Sequence, residues 1–460
     1  MNEEKGKKLN LWNLVGLGLG GAIGTGIFVL LGYGIAYTGR SIIWVVMIGC
    51  FFMLLAYWYN LVMPTMFVLK GGDYSMKTML FSPLLTGASA WMVIINGFAF
   101  ASYAIAVTSY LCVVFPALTQ YSTIVSVIVA TLFYASSIKG SRFITILENI
   151  MTVVLIAALV LFVVFGIPKV DVGTFFGSSD GGFFHGGFSG FISAIAVMGW
   201  ACQGTTMGPI AMAAVTEKPK KTIAKSIVII TCLLAVVYGL VAFVAGGVLP
   251  YDQIAGANLS VTAEAIFPAG LYLFFVVGGG IGAIATSMLG GIAMMRYPTI
   301  QVAEDGWLPA VFKKTTKSGY PYVTYGVLYL LTIVPIILGM SLDSVVSLVM
   351  IPTMLMNMYM NMACITLPKK FPEQWAKRSM KMPIWFYNIC CVVGTVCAGI
   401  VAYNLFVDLT ATTALATVAI VVLLLFLSWL RLKQGAVSKD DIAAKKQAVL
   451  EEAIAADTED

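Results

Sequence analysis

The chain has 460 residues, of which 60% are hydrophobic and 10% charged, with a mean hydropathy of +0.94. A soluble domain carries about a quarter of its residues as charges, so this composition excludes a secreted, disordered or nucleic-acid-binding protein and describes a polytopic membrane protein. The net charge of +6 is mild, and where the charges sit says more than their sum.

A helix needs about 20 apolar residues to cross the hydrocarbon core. Twelve such runs follow one another, at roughly 11–37, 42–66, 84–115, 121–138, 143–166, 188–215, 222–248, 266–296, 322–340, 343–366, 383–407 and 411–431. The first begins too polar and runs too long for a secretory signal. With the N-terminus inside, 25 of the 27 Lys and Arg residues gather on one side, and only Arg40 and Lys169 fall on the other. A missed or extra span would scatter them. The bias of basic loops toward the inside therefore predicts twelve spans with both termini cytoplasmic, in the plasma membrane. Basic loops such as Lys218–Lys221 are read as setting this topology rather than as a site for anionic lipid heads, and membrane lipid is an expected partner of the chain as a whole. The tail after span twelve, with Asp441 four residues before Lys445, reads as a solvated cytoplasmic helix.

Several chemistries lack their residues. The eight cysteines lie in apolar stretches without a CxxC, as buried free thiols, and His185 is the only histidine. A zinc site or a Cys–His nucleophile is therefore not available. No GxxxxGK[ST] segment offers a phosphate cradle, and no repeated filter or ring of acids suggests a channel. Glu148, Arg296, Asp343 and Asp408 fall near span ends, so no charge lies deep in a span. A charge at depth would be functional by default; its absence counts against an intramembrane enzyme. The reading is a non-enzyme without a cofactor.

Two spans carry interruptions. Span one holds Gly18, Gly20, Gly21, Gly24 and Gly26 within nine residues, and glycine costs a helix interior up to about 1 kcal/mol relative to alanine. Gly20 and Gly24 also fit a GxxxG packing seam, but five clustered glycines exceed what one seam needs and predict a helix that breaks. Span six holds Gly199, Gln203, Gly204, Thr205, Thr206, Gly208 and Pro209, and predicts a second break. Gly24 and Gly204 are 180 residues apart, each in the first span of a five-span unit. Paired interruptions at matching places of two halves point to a transporter's central site. Because five is odd, the second unit enters from the opposite side, giving an inverted repeat. The organisation is then a cytoplasmic N-terminus 1–10, a first unit 11–166, an extracellular loop 167–187, a second unit 188–366, a cytoplasmic loop 367–382, two appended spans 383–431 and a cytoplasmic tail 432–460.

Gly20-Gly-Ala-Ile-Gly-Thr-Gly-Ile-Phe28 resembles the first-helix signature of the amino acid–polyamine–organocation superfamily, and Ala303-Glu-Asp-Gly-Trp-Leu-Pro309 resembles its cytoplasmic segment after helix eight. Glu217-Lys-Pro-Lys-Lys221 sits where that family carries a polar turn after helix six. The resemblance implies the leucine-transporter type of all-α fold and alternating-access transport of amino acids or related amines. Two departures matter. Trp200-Ala-Cys-Gln-Gly204 replaces the aromatic–Gly–aromatic–Glu pattern of many members, and Leu155 stands near where some proton-coupled relatives carry a lysine.

A broken span one turns a new helix start toward the cavity, where N–H groups around Thr25, Gly26 and Ile27 favour a carboxylate. Carbonyls freed around Met198–Cys202 would accept from an ammonium group. Such a site binds a zwitterion without a charged side chain and predicts neutral L-amino acids as substrates. Its expected residues are Ala22, Ile23, Gly24, Thr25, Gly26, Tyr103, Met198, Trp200, Ala201, Cys202, Gln203 and Gly204, with Tyr103 covering the site and Trp200 shaping it. A β-carbon at Gly26 is expected to enter the carboxylate's space, and one at Gly18 to be mild. The resemblance also suggests Thr286 and Ser287, with carbonyls near Gly20 and Ile23, as sodium ligands. The coupling ion, H+ or Na+, stays open. Asn357 and Asn361, four apart on span ten, are expected to face the bundle interior. The alternatives are a polyamine or organic amine transporter of the same superfamily, or an amino acid sensor that does not transport.

Overall fold

The computed structural model describes residues 8–24, 26–69, 71–138, 141–177, 182–316 and 320–458, without the side chains of 141–149, 174, 214, 297 and 456–458. Thr25 and the Glu148 side chain therefore lie outside the described residues. Within them the regular structure is helical, apart from one isolated parallel bridge between Leu9 and Thr216. Nine stretches of the described residues are long and apolar enough to cross a membrane. One of them, Leu11–Ala56, takes in the first expected span and most of the second. Span six is split into Gly187–Cys202 and Gly204–Ala211, and span nine, Tyr322–Ile337, has 16 residues. The protein is a multi-pass helical membrane protein.

Its outside is apolar because lipid, unlike water, solvates apolar side chains. Leu132, Val153, Leu415 and Val422 are all more than half exposed along their helices. A groove of about 410 Å³ among Leu355, Tyr403, Phe406 and Val418 belongs to this outer surface. The core lies where span two packs on Pro219–Gly247 and where span ten, Leu342–Cys364, packs on Ile384–Val407. The eight cysteines are free, and six are buried as expected. Cys112 is half-buried and Cys232 is exposed on its helix.

The basic face is more structured than a set of loops. Residues 72–80 form a helix between spans two and three, and Leu9 pairs with the chain after span six through Leu9 N–H to the Val215 carbonyl (2.8 Å) and Glu217 N–H to the Leu9 carbonyl (2.9 Å). The tail helix Lys439–Thr458 is not simply solvated. Lys445 pairs with Asp305 and lies 4.5 Å from the centre of the Tyr74 ring, while Val437, Ile442 and Ala453 are buried. Burial there pushes the Lys445 ammonium below the ordinary lysine value, against the opposing pull of Asp305. Arg431 adds hydrogen bonds to the carbonyls of Gly306 and Leu308. Helical periodicity alone does not show such docking, because the apolar stripe of this tail is thin.

Candidate functional site

Span one breaks where its glycines predict. The helix Leu11–Ala22, capped by Asn10, ends at Ile23 in an extended conformation. The chain resumes as a π-helical turn, Gly26–Leu30, before the helix Leu31–Thr38. A break inside a bilayer requires that the freed backbone groups find partners. Two hydroxyls from other spans supply them: Tyr238 donates to the Ala22 carbonyl (2.9 Å) and Ser287 to the Ile23 carbonyl (3.3 Å), while Tyr110 donates to the Phe28 carbonyl (2.8 Å) within the resumed turn. Span eight answers with its own π-helical segment, Phe275–Ile281. The Phe28 and Phe275 rings from the two segments lie 5.7 Å apart.

Span six does not unwind as expected. Gln203 alone interrupts it and keeps a right-handed helical conformation. Its N–H bonds to the Gly199 carbonyl (2.9 Å), and its carbonyl accepts from Thr206 N–H (3.2 Å). The carbonyls around Met198–Cys202 are therefore not released as a group. The glycines here serve approach between helices. A methyl group on Gly204 would lie 2.7 Å from Ala22 Cα, and one on Gly26 would lie 2.3 Å from Ala201 Cβ. Each interrupted helix thus presents a glycine to an alanine of the other. Gly208 continues the seam against Gly18, at 3.7 Å. The expectation that a β-carbon on Gly26 enters the carboxylate's space is corrected: it enters span six. Gly18 is also tighter than expected, since its β-carbon meets Ile230 Cδ1 at 2.3 Å, although that atom ends a flexible side chain.

The other expected residues divide. Ala22, Ile23, Gly24, Gly26, Ala201 and Gly204 meet at the break. Tyr103 packs its ring 6.2 Å from that of Trp200, and both are half-buried. Met198 packs beside Gly34, farther along span one. The Cys202 thiol turns to the Val46 carbonyl of span two. Of the sodium candidates, Ser287 meets Ile23, but Thr286 bonds back to the Gly282 and Ala283 carbonyls of its own helix, and Gly20 faces Thr152.

A polar network below the break was not foreseen. Span two has its own interruption at Tyr57, between the helices Ile42–Ala56 and Trp58–Val62. Asn361 of span ten stabilises it, donating to the Leu55 and Ala56 carbonyls and accepting from Tyr59 N–H. Both Asn357 and Asn361 are fully buried and face the interior, as expected. The Tyr57 hydroxyl donates to Gln203 Oε1 (2.5 Å), and Asn60 donates to Thr206 Oγ1 (3.3 Å). The Tyr59 hydroxyl lies 2.7 Å from Asp73 Oδ1 and 2.8 Å from Asn357 Oδ1. Asp73 also pairs with Lys77 at 2.6 Å, in the helix Gly72–Leu80. Counting charges within spans misses this pair because it enters the interior from a loop helix. The four-residue spacing of Asp73 and Lys77 beside the polar run Tyr57-Trp-Tyr-Asn60 is the signal that would have found it.

Residues 9–427 match the family model described as amino acid permease. The chain is 27% identical to the D-serine/D-alanine/glycine transporter of Escherichia coli K12, over 66% of this chain and 67% of that protein. It is 26% identical to the branched-chain amino acid permease of Bacillus subtilis, over 82% and 84%. A probable threonine/serine transporter of the same species is also 26% identical, over 78% of each chain.

Proposed function

Because the chain belongs to the amino acid permease family, we propose that it is a secondary transporter moving neutral L-amino acids across the plasma membrane by alternating access. The observation that carries this reading is the break at Ile23–Gly24, seated against Ala201 and Gly204 and surrounded by neutral residues. The second half of span one starts at Gly26, where the first N–H groups of a helix lack intrahelical partners and favour a carboxylate. The Ala22 and Ile23 carbonyls each keep a second lone pair for an ammonium group. Gln203 in place of an acid suits a neutral side chain. The named relatives are called transporters or permeases of D-serine, D-alanine and glycine, of threonine and serine, and of branched-chain amino acids, all of them neutral.

In this reading twelve spans cross the membrane with both termini cytoplasmic. The units 11–166 and 188–366 form the inverted repeat, and spans eleven and twelve are appended. The basic face with the helix Gly72–Leu80 is then cytoplasmic. Thermal-shift measurement of the purified protein against amino acids and amines, followed by radiolabel exchange in proteoliposomes, tests it, since a ligand that binds only the folded state raises its stability. Neutral amino acids should stabilise and exchange, and blocking either the carboxylate or the amine should abolish both. Stabilisation by polyamines alone overturns the substrate class. Binding without exchange makes the protein a sensor.

A further inference from the structure

After span twelve the chain turns at Gly435, at a φ of 66°, and runs back along the basic face as the helix Lys439–Thr458. Arg431 pins the root of this turn to the Gly306 and Leu308 carbonyls. The helix caps itself, with Ser438 N–H on Asp441 Oδ2 (2.7 Å) and Asp441 N–H on Ser438 Oγ (3.1 Å), so its start needs nothing from the body. Its hold on the body is thin. Val437 and Ile442 enter an apolar cluster with Tyr74, Val302, Trp307 and Leu308, and Ala453 is buried farther along. Lys445 pairs with Asp305. Asp305 has two further donors, the Tyr74 hydroxyl on Oδ2 (2.7 Å) and Gln301 Nε2 on Oδ1 (2.8 Å). Withdrawing Lys445 therefore leaves the carboxylate hydrogen-bonded, while the ammonium group regains water. Docking also holds the Lys446 ammonium below the ordinary lysine value, through burial first and the charge of Lys370 second. The undocked tail thus strands no charge and gives up the burial of a few apolar side chains.

We propose that the tail helix is an autoinhibitory strap, docked at rest, whose release lets the central site open to the basic face. The proposal rests on the transporter reading above. A stack of elements separates the break from that face. Gly204 seats on Ala22 at the break, and the segment Gly204–Ala211 continues from it. The helix Gly72–Leu80 packs on that segment, and the tail packs on that helix. In the transporter reading, a path from the break to this face requires the helix Gly72–Leu80 to move off a neighbour. The tail opposes the movement at two places. Lys445 joins Asp305 of the loop after span eight and lies 4.5 Å from the centre of the Tyr74 ring, so it ties that loop to the helix. Lys446 comes near Lys370, in the short helix Leu367–Lys370 after span ten. One strap thus reaches the loop helix of the first unit and two loops of the second. Separating them costs the contacts of the tail in addition to their own. Release leaves the Tyr74–Asp305 hydrogen bond, which water can replace as the face opens.

The test measures two quantities on the full-length protein: exchange of radiolabelled serine, alanine and valine in proteoliposomes, and amide hydrogen exchange along the tail. Lys445→Gln and Ile442→Ser each remove one hold. Both should speed amide exchange in the tail helix and raise substrate exchange by about fivefold, at the low end of couplings between separate parts of a protein. Substrate should still raise the melting temperature of both. Either variant carries the test if the other does not fold. A reverse arm joins Lys445→Cys to Tyr74→Cys with a cleavable thiol cross-linker. The linked protein should bind substrate and stop exchanging it, and cleavage should restore fast exchange, while the same reagent leaves wild type unchanged. A released tail with wild-type transport overturns the strap, and so does a linked tail that still transports. Slower transport on release makes the tail a structural prop and overturns it as well. Unchanged tail protection in both variants overturns it too, because these contacts would then not hold the helix. All four outcomes leave the transporter reading intact. A folded wild type that neither binds nor exchanges any of the three amino acids removes that reading, and the proposal with it.

Discussion

Spans one and six both carry glycines and polar residues at an interruption, yet one breaks fully and the other keeps helical geometry. Span one leaves helical geometry at Ile23, while Gln203 stays in the right-handed helical region. What separates them is the supply of partners: Tyr238 and Ser287 reach the freed carbonyls of Ala22 and Ile23 in span one. At Gln203 the helix's own N–H and carbonyl groups remain paired. A helix in lipid unwinds where its neighbours can replace the lost bonds.

The largest effect expected is at the contact between the two interruptions. Gly26→Val would drive side-chain atoms into Ala201, whose Cα lies 2.5 Å from the added β-carbon. It should destabilise the protein by about 3 kcal/mol, at the upper end of overpacking. Ala201→Gly in the same chain should recover part of the loss, as a double-mutant cycle on melting temperature would show. If Gly26→Val instead melts like wild type and loses only ligand binding, the glycine lines the site rather than the seam.

Next come the hydroxyls that hold the break open. Ser287→Ala leaves the Ile23 carbonyl without its donor, at about 1–3 kcal/mol for a buried group. Thr286→Val should cost less, because the Thr286 hydroxyl bonds only to its own helix. Equal losses in a thermal melt would mean that the break does not depend on Ser287. Sodium-dependent stabilisation that survives Ser287→Ala would likewise remove Ser287 from the ion's ligands.

Smaller effects should follow on the span-six side. Tyr57→Phe frees Gln203 and should cost about 1 kcal/mol, a typical net value for one hydrogen bond. Its signature would be a changed substrate-induced melting shift at nearly unchanged stability. Gly18→Ala should lie within about 1 kcal/mol of wild type, since alanine's helix propensity offsets the displacement of Ile230 Cδ1. A loss as large as that of Gly26→Val would mean that the seam is rigid along its whole length.

Apolar runs marked most spans, and the glycine cluster marked the break in span one within a residue or two. The docked tail, the helix Gly72–Leu80 and the interruption at Tyr57 were not legible as such. Each is fixed by partners far along the chain: Asp305 for Lys445, Asn361 for the carbonyls of Leu55 and Ala56, and Tyr59 and Asn357 for Asp73.

By itself the sequence determined the membrane class and the weak point of span one. These follow from composition and local backbone preference, which act over a few neighbouring residues. Tertiary structure alone decided that Gly26 packs against Ala201, that span six stays nearly helical and that the ion pair of Asp73 and Lys77 enters from a loop. Those outcomes depend on which hydroxyl, amide or methyl group another helix brings within bonding distance, and spacing along one chain does not encode that.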